Sequence, residues 1–195
     1  MRTMVVVYGA LLLAGCASAT IIHPTSPSAT SQLLVFRALE RAVARLDLTG
    51  LRGRRIALEV ISQLYDHYFA AAYLETWLRA HGVTVVSESP DRRLQVYLLT
   101  LGTDQGQTFV GIPPLQIPVL SIPIPEIAIF KWVRSRGRAD MRAYAFDPVN
   151  GAFQEMLPET TGRSKFDDFT ILIVVGFTVT DIEEPLPGSP PPRGP

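Results

Sequence analysis

The sequence has few of the residues and motifs from which catalytic and metal sites are usually built. It has one cysteine in 195 residues, which excludes an internal disulfide and a cysteine-based zinc site. It also contains no glycine-rich phosphate loop and no Gly-x-Ser-x-Gly nucleophile turn. We therefore expect that the protein is not an enzyme and that it holds no metal and no cofactor.

An excess of charge of either sign is absent as well. The chain carries 18 basic and 18 acidic side chains, so it presents neither a basic field for nucleic acid nor an acidic field for cations. We expect no nucleic-acid partner. Its function should depend on apolar surfaces and on where the chain is located.

The amino terminus has the pattern of an export signal. A single basic residue, Arg2, precedes an apolar run from Met4 to Leu13. That run is shorter than the roughly 20 residues that a helix needs to cross a bilayer. Residues 1–15 are therefore predicted to be a signal peptide that is removed.

The end of this run, "LAGC" at residues 13–16, resembles the lipobox of bacterial lipoproteins. The resemblance implies cleavage before Cys16, a diacylglycerol on its thiol and a further acyl chain such as palmitate on its amino group. Two or more acyl chains anchor a protein stably, so Cys16 is the predicted lipid attachment site. The residue after the cysteine is Ala17 and not aspartate, which resembles the pattern of lipoproteins that are forwarded to the outer membrane. This resemblance predicts a periplasm-facing protein at the outer membrane.

Composition divides the rest of the chain into three parts. Residues 16–31 are rich in Ser, Thr, Ala and Pro and are predicted to be the lipidated amino terminus and a flexible tether. Residues 32–183 are predicted to form a single α/β domain. Residues 184–195 are rich in proline and are predicted to be a disordered tail.

The first half of the domain predicts helices on a parallel sheet. In the first helix, Leu33, Phe36 and Leu39 share one face, whereas an arginine row of Arg37, Arg41 and Arg45 lies on another, facing solvent or anionic lipid headgroups. Two apolar strands then flank a second helix, which predicts a βαβ crossover with parallel neighbouring strands.

The second half predicts further strands. Alternation over residues 139–146, the turn "DPVNG" and the following "AFQEM" indicate a hairpin with a type I′ turn at Asn150 and Gly151. The apolar run "FTILIVVGFTVTDI" predicts one long strand in the middle of the sheet. The expected fold class is α/β: a mixed sheet with a βαβ crossover, helices mainly on one face, and a C-terminal hairpin and strand region.

The segment 109–126 is apolar but interrupted by prolines, which exclude a membrane helix and a central strand and predict an extended loop. Its apolar side chains are too many to leave in water. They can be buried against the protein's own sheet, the membrane beside the anchor or another chain, and we expect Val119 to Ile124 to contact a partner subunit. The candidate interaction surface consists of Phe109, Ile112, Leu115, Ile117, Val119, Leu120, Ile122 and Ile124.

Several groups of residues have the side-chain types of a catalytic or metal site but not the spacing that such a site requires. They are His67 beside Asp66, Ser164 beside Lys165, and Asp104 with Asp167 and Asp168. Neighbours in sequence rarely point at a common atom, and the three aspartates lack the spacing of a cation site. An aromatic stripe recurs every four residues in the second helix and predicts core packing more than ligand stacking: Tyr65, Phe69, Tyr73 and Trp77.

Three runs, "GTDQGQTFVGIP", "PEIAIFKWVRSRGRADMRAYAFDPVNG" and "ETTGRSKFDDFTIL", together resemble a family of uncharacterised bacterial lipoproteins classed as a domain of unknown function. The likeness covers most of the mature chain. More remotely, the order of elements is similar to the periplasmic domains of curli-secretion lipoproteins and to TolB-like amino-terminal domains. Curli-secretion lipoproteins assemble through long amphipathic strands, and the sequence indicates no such pair, so we expect no pore made by this chain alone.

These observations lead to two functional hypotheses. In the first, the protein is a lipid-anchored periplasmic accessory or scaffold lipoprotein that joins a cell-envelope assembly through protein contacts, with a partner protein or a second copy bound at residues 109–126. In the second, it is a periplasmic carrier or sensor, and the same segment covers a cleft for a lipid-like small molecule.

Overall fold

The computed structural model describes residues 17–22, 28–63, 67–117, 122–124 and 126–183. The predicted signal peptide, Cys16 and the predicted tail lie outside these residues. In chain order the elements are β1 (Ala17–Ile22), α1 (Ala29–Val43), β2 (Arg55–Ser62), α2 (His67–Ala80), β3 (Thr84–Val85), β4 (Arg92–Ile112), β5 (Leu115–Ile117), β6 (Ile122–Ile124), β7 (Ile127–Phe146), β8 (Phe153–Ile171) and β9 (Val175–Thr180).

The strands form a mixed sheet in the order β3-β2-β4-β7-β8-β9, and β1 pairs with β4. β2 runs parallel to both β3 and β4, whereas β1 is antiparallel to β4 and β9 is antiparallel to β8. Because α2 connects the parallel neighbours β2 and β3, the predicted βαβ crossover is confirmed. The predicted fold class, α/β with a mixed sheet, is confirmed with it.

The described residues fall into two compact units, where one domain over 32–183 was expected. The helical unit contains the described residues within 28–103, 136–164 and 182–183. The strand unit contains those within 17–22, 104–135 and 165–181. β4, β7 and β8 each contribute part of their length to both units. Both helices belong to the helical unit, so only that part of these strands has a helix-covered core.

The core of the helical unit lies between the two helices and one face of the sheet. Alternate residues of β4 and β7 point toward the helices, as the period of a strand requires. The buried side chains include Leu34, Ala38, Leu39, Ala42 and Val43 in α1, Ala70, Leu74 and Leu78 in α2, and Ile56, Leu94, Val96, Leu98, Ala139, Met141 and Ala143 in the sheet. The buried stripe of α1 is rotated from the predicted face, because Leu33 is 50% exposed while the small residues Ala38 and Ala42 are buried.

Small residues are needed because α1 lies directly against the backbone of the sheet. A Cβ atom on Gly162 would overlap the Ala38 carbonyl oxygen and lie 2.6 Å from the Ala42 nitrogen. A Cβ atom on Gly137 would likewise overlap the Leu34 carbonyl oxygen. Helix and strands therefore approach more closely here than any larger residue allows.

The arginine row of α1 contacts a strand edge. Arg41 donates a hydrogen bond to the Arg163 carbonyl at 2.6 Å, and Arg45 donates one to the Thr161 carbonyl. These carbonyls are two residues apart in β8 and so point to the same edge, while β9 pairs only with Phe166–Ile171. The two guanidinium groups thus occupy an edge of β8 that would otherwise invite another strand.

The turn at "DPVNG" joins β7 to β8, but not as a type I′ turn. Asp147 N donates to the Ala152 carbonyl at 2.8 Å, and Asp147 Oδ1 accepts hydrogen bonds from the Val149 and Asn150 nitrogens. Among the described residues of this loop only Gly151 has a positive φ, +70°. The predicted hairpin is confirmed, and its type I′ turn is wrong because the aspartate side chain organises a longer loop.

Gly151→Val should lower the free energy of unfolding by about 1–2 kcal/mol, because a β-branched residue is strained at this φ. Nothing lies within 4 Å of a Cβ atom at this position, so the effect is purely one of backbone conformation. Thermal unfolding measures it. Gly102→Val is the matched control, since Gly102 also has open space and no positive φ. Equal midpoints for the two variants would contradict the prediction.

Two predictions about flexible or loop segments need correction. Ala17–Ile22, within the predicted tether, form β1 opposite residues 105–110 of β4. Within the predicted loop 109–126, β5 and β6 pair with each other, and Pro123 stands opposite Gln116. A short two-stranded ribbon tolerates a proline, because one edge of each strand carries no partner strand.

Two predictions about strands need correction as well. A pair of long amphipathic strands was not expected, yet β4, β7 and β8 have 21, 20 and 19 residues. The run "FTILIVVGFTVTDI" is not one central strand. It turns at residues 172–174, and its second half, β9, is the last strand of the sheet order. Apolar strands at the edge and in the centre of a sheet have the same local pattern, so composition alone could not separate them.

Candidate interaction surface

The sequence-predicted surface is only partly exposed. Phe109 is 6% exposed and so lies inside the strand unit, whereas Ile112, at the end of β4, is 46% exposed. The backbones of Leu115, Ile117, Ile122 and Ile124 lie in the β5–β6 pair. Val119 and Leu120 lie outside the described residues.

A second apolar surface, which the sequence did not indicate, lies on the hairpin formed by the end of β8 and by β9. Ile171 stands opposite Val175, and Leu172 and Ile173 have φ of +49° and +71°. These two residues belong to a three-residue turn, 172–174, and successive positive φ values in a turn are normally adopted by Asn and Gly. A β-branched residue in this region is an outlier that costs about 1–3 kcal/mol.

The turn is held in place by β7. Leu172 N donates to the Ile129 carbonyl at 2.9 Å, and Ile173 N donates to the Ala128 carbonyl at 3.0 Å. The side chains of Leu172, Ile173 and Val174 are nevertheless 63%, 59% and 83% exposed. The fold therefore holds a strained backbone in a turn whose three apolar side chains are exposed.

Behind the turn, three aromatic rings stack across three strands of the strand unit. The ring centroids of Trp132 in β7 and Phe169 in β8 are 5.5 Å apart, and those of Phe169 and Phe177 in β9 are 4.9 Å apart. In both pairs the ring planes are within 14° of parallel. The Trp132 indole nitrogen donates to Asp167 at 3.0 Å, and the Arg134 guanidinium lies 4.6 Å from the indole centroid. These contacts hold the three rings, which we call the aromatic platform, in place.

The platform ends at an exposed sheet edge. β9 is the last strand of the described sheet, and Val175, Phe177 and Val179 are exposed on the same face of it. Exposed apolar edge strands are uncommon, because they invite pairing with another chain. We define the apolar hairpin surface as Leu172, Ile173, Val174, Val175, Phe177 and Val179.

Comparison with known protein families, characterised proteins and solved structures finds no match for this chain. The apolar hairpin surface is therefore interpreted from its own geometry. In the part of the chain that the structure describes, neither helix is long and apolar enough to cross a membrane.

The other sequence-predicted groupings have structural contacts of their own. His67 stacks on Tyr68, and Asp66 lies outside the described residues. Ser164 is buried and donates a hydrogen bond to the Leu34 carbonyl at 2.7 Å. Asp168 accepts one from Thr178. Within the described ranges, no three His, Cys, Asp or Glu side chains lie close enough to share a metal ion.

The aromatic stripe of α2 is divided between core and surface. Tyr73 and Trp77 pack against the core, as predicted, whereas Phe69 is largely exposed and meets Phe36 edge-on. Burial, together with the charge of Glu40 and a hydrogen bond to it, raises the pKa of Tyr73 to about 12. Tyr73 therefore stays a neutral hydrogen-bond donor that links α2 to α1.

A shallow cleft lies on the sheet face opposite the helices in the helical unit. Its volume is about 310 Å³, and its walls are Tyr97, Leu99, Arg142, Tyr144 and Phe146. The Tyr97 and Tyr144 rings meet edge-on at 5.7 Å, and Arg142 is paired with Glu159 at 2.7 Å. This volume is at the lower end of the range for small-molecule sites.

The same sheet face contains a buried carboxylate, Asp140. Its Oδ2 accepts a hydrogen bond from Arg138 at 2.6 Å, and its Oδ1 accepts one from Thr161 at 2.8 Å. Burial acts to raise the pKa of Asp140. These hydrogen bonds, the charge of Arg138 and a hydrogen bond from Thr100 act in the opposite direction and together hold the pKa below its ordinary value. Asp140 is therefore ionised at neutral pH.

Asp140→Asn should lose about 1–3 kcal/mol of unfolding free energy at pH 7, because it leaves the donors around this position poorly paired. A carboxyl group whose pKa is lower in the folded than in the unfolded chain stabilises the fold at pH values above its unfolded pKa of about 4. This stabilisation is lost as the pH falls through the folded pKa. Denaturant unfolding at pH 7 and pH 3 should show a smaller acid loss in the variant. Asp104→Asn, at an exposed carboxylate, is the control; equal effects of the two substitutions would contradict the prediction.

Proposed function

We propose that this chain is a lipid-anchored, periplasm-facing lipoprotein of the cell envelope, at the outer membrane, that serves as an accessory or scaffold protein. Cys16 carries the acyl chains, and the β9 part of the apolar hairpin surface holds a partner protein or a second copy. The observation that carries this proposal is β9, an edge strand whose exposed side chains are apolar and rest on a fixed aromatic stack.

An edge of this kind suits a protein partner better than a small molecule. An added strand can use the backbone donors and acceptors of β9, while Val175, Phe177 and Val179 contact its alternate side chains. Aromatic and arginine side chains are enriched at protein interfaces, and the platform offers Trp132 with Arg134 beside it. Small-molecule sites are concave, whereas β9 is an exposed strand at the edge of the sheet.

The anchor is tested by feeding cells a clickable fatty acid and comparing the wild type with Cys16→Ser. The wild type should be labelled and should fractionate with membranes, and the variant should do neither. Equal labelling of the two forms would exclude the proposed attachment site.

The partner is tested by photo-crosslinking in cells. A benzoylphenylalanine at Val179, in β9, should give a discrete protein adduct, whereas one at Val149, a more exposed valine in the turn before β8, should give none. A third probe at Ile112 tests the exposed residue of the sequence-predicted surface. Adducts of equal yield at Val179 and Val149 would contradict a partner site on β9.

The carrier or sensor hypothesis is supported by the cleft at Tyr97 and Tyr144. Native mass spectrometry of the purified protein separates the two functions. A co-purified lipid-like molecule that is lost in Tyr144→Ala would favour the carrier, and a defined oligomer or protein complex that is lost in Phe177→Asp would favour the scaffold.

A further inference from the structure

In the strand unit, neighbouring strands connect Ala17, the first described residue, to the exposed turn at residues 172–174. Ala17 of β1 stands opposite Val110 of β4. The next residue of β4, Gly111, lies so close to β7 that a Cβ atom on it would overlap the Ile127 carbonyl oxygen. Paired strands are about 4.8 Å apart, so β1, β4 and β7 come to the same end of the sheet within a short distance.

Hydrogen bonds connect β7 in turn to the exposed turn at residues 172–174. The carbonyls of Ala128 and Ile129, directly after Ile127, accept the hydrogen bonds of Ile173 and Leu172. The residue that follows Cys16 in the chain therefore lies at the same end of the strand unit as the exposed turn. This juxtaposition follows from strand register and main-chain hydrogen bonds.

The same end exposes further apolar side chains. Ile112 at the end of β4 and Ile129 near the start of β7 are each about half exposed, in addition to the turn at 172–174. Glu126, directly before β7, forms an ion pair with Lys131 at 2.8 Å, which locally neutralises its carboxylate. We call Ile112, Ile129, Leu172, Ile173 and Val174 the apolar end.

We propose that the apolar end contacts the lipid surface of the membrane that holds the acyl chains of Cys16. This inference rests on the proposed anchor and extends it, because it gives the turn a lipid partner and leaves β9 for a protein. Apolar side chains beside an acyl anchor add buried area at the boundary between headgroups and hydrocarbon. It also explains the turn composition, since Asn and Gly would relieve the backbone strain but would offer no apolar area to lipid.

The test places benzoylphenylalanine at Val174 or, as control, at Val149 in the full chain. Each protein is reconstituted in vesicles of phosphatidylethanolamine and phosphatidylglycerol and irradiated, and lipid adducts are counted by mass spectrometry. Both positions are highly exposed valines in turns. We expect a several-fold higher yield of lipid adducts at position 174. Equal yields, or only protein adducts at 174, would overturn the proposal.

Failure of the anchor can be separated from failure of the apolar end. The intact mass of the purified protein reports whether Cys16 is acylated. If its thiol is free, the anchor proposal has failed, and the thiol is coupled to a maleimide lipid so that the same irradiation can be carried out. Lipid adducts at 174 then still support the contact, and their absence rejects it.

A charge variant provides a second readout. Ile129→Asp with Val174→Asp should reduce lipid adducts from a probe at Ile112 to the yield of the Val149 control. The midpoint of thermal unfolding should change little, because both side chains are exposed. A folded variant with undiminished lipid adducts would contradict the role of these side chains.

Discussion

Gly162→Val is expected to lower the free energy of unfolding by about 3–5 kcal/mol, a large part of the stability of a typical domain. The added side chain would begin at a position already occupied by the Ala38 carbonyl of α1. To admit it, the helix must move away from β8 and leave the hydrogen bond from Ser164 to the Leu34 carbonyl unmade. Denaturant unfolding followed by circular dichroism measures the loss.

Gly176→Val is the matched control for this substitution. Gly176 also lies in a strand, but the nearest atom to a Cβ there is the Phe169 carbonyl oxygen at 3.8 Å, an ordinary contact. Valine suits a strand, so the control should be neutral or mildly stabilising. Adding Ala38→Gly should not rescue Gly162→Val, because the clash is with main-chain atoms. A rescue, or equal stability of the two valine variants, would disprove the close approach.

Replacing Leu172 by Asn and Ile173 by Gly is expected to raise the free energy of unfolding by about 1–3 kcal/mol. The two new residues adopt positive φ with little strain, and the original side chains are too exposed for their loss to cancel the gain. Thermal unfolding should show a midpoint several degrees higher. A lower midpoint would mean that Leu172 and Ile173 stabilise the folded chain by packing.

The same variant should lose lipid contact while it gains stability. A probe at Val174 should then give lipid adducts at the yield of the Val149 control. Such an opposition between stability and function is usual where a strained site is retained for its activity. Ser89→Gly, at another residue with a positive φ of 49°, relieves strain in the helical unit and should leave lipid contact unchanged.

The fold class could be predicted because its signals are local. The crossover from β2 through α2 to β3 has strand-like and helical periods of the right length, and "DPVNG" contains the residues that turns require. The buried face of α1 was harder to predict. It is selected by the two glycines of β7 and β8 that the helix backbone touches, and these lie more than a hundred residues further along the chain.

The candidate surface could be predicted less well, because exposure depends on strand order. Residues 172–174 contain no Gly, Pro, Asn or Asp, so no turn was expected. Main-chain hydrogen bonds to Ala128 and Ile129 override that preference in the folded chain. In the same way, β1 forms through its pairing with residues 105–110, which the composition of the amino-terminal segment does not reveal.

β1 also changes how far the protein can reach. A flexible chain of roughly fifteen residues would span about 20 Å between its ends on average. Strand pairing instead fixes Ala17 opposite Val110 and leaves no slack after Cys16. For a chain attached through that cysteine, β9 would stand at a nearly constant height above the bilayer. The effective concentration of β9 for a partner in the same membrane would then depend on diffusion in two dimensions. Partners whose complementary strand lies at another height would be excluded.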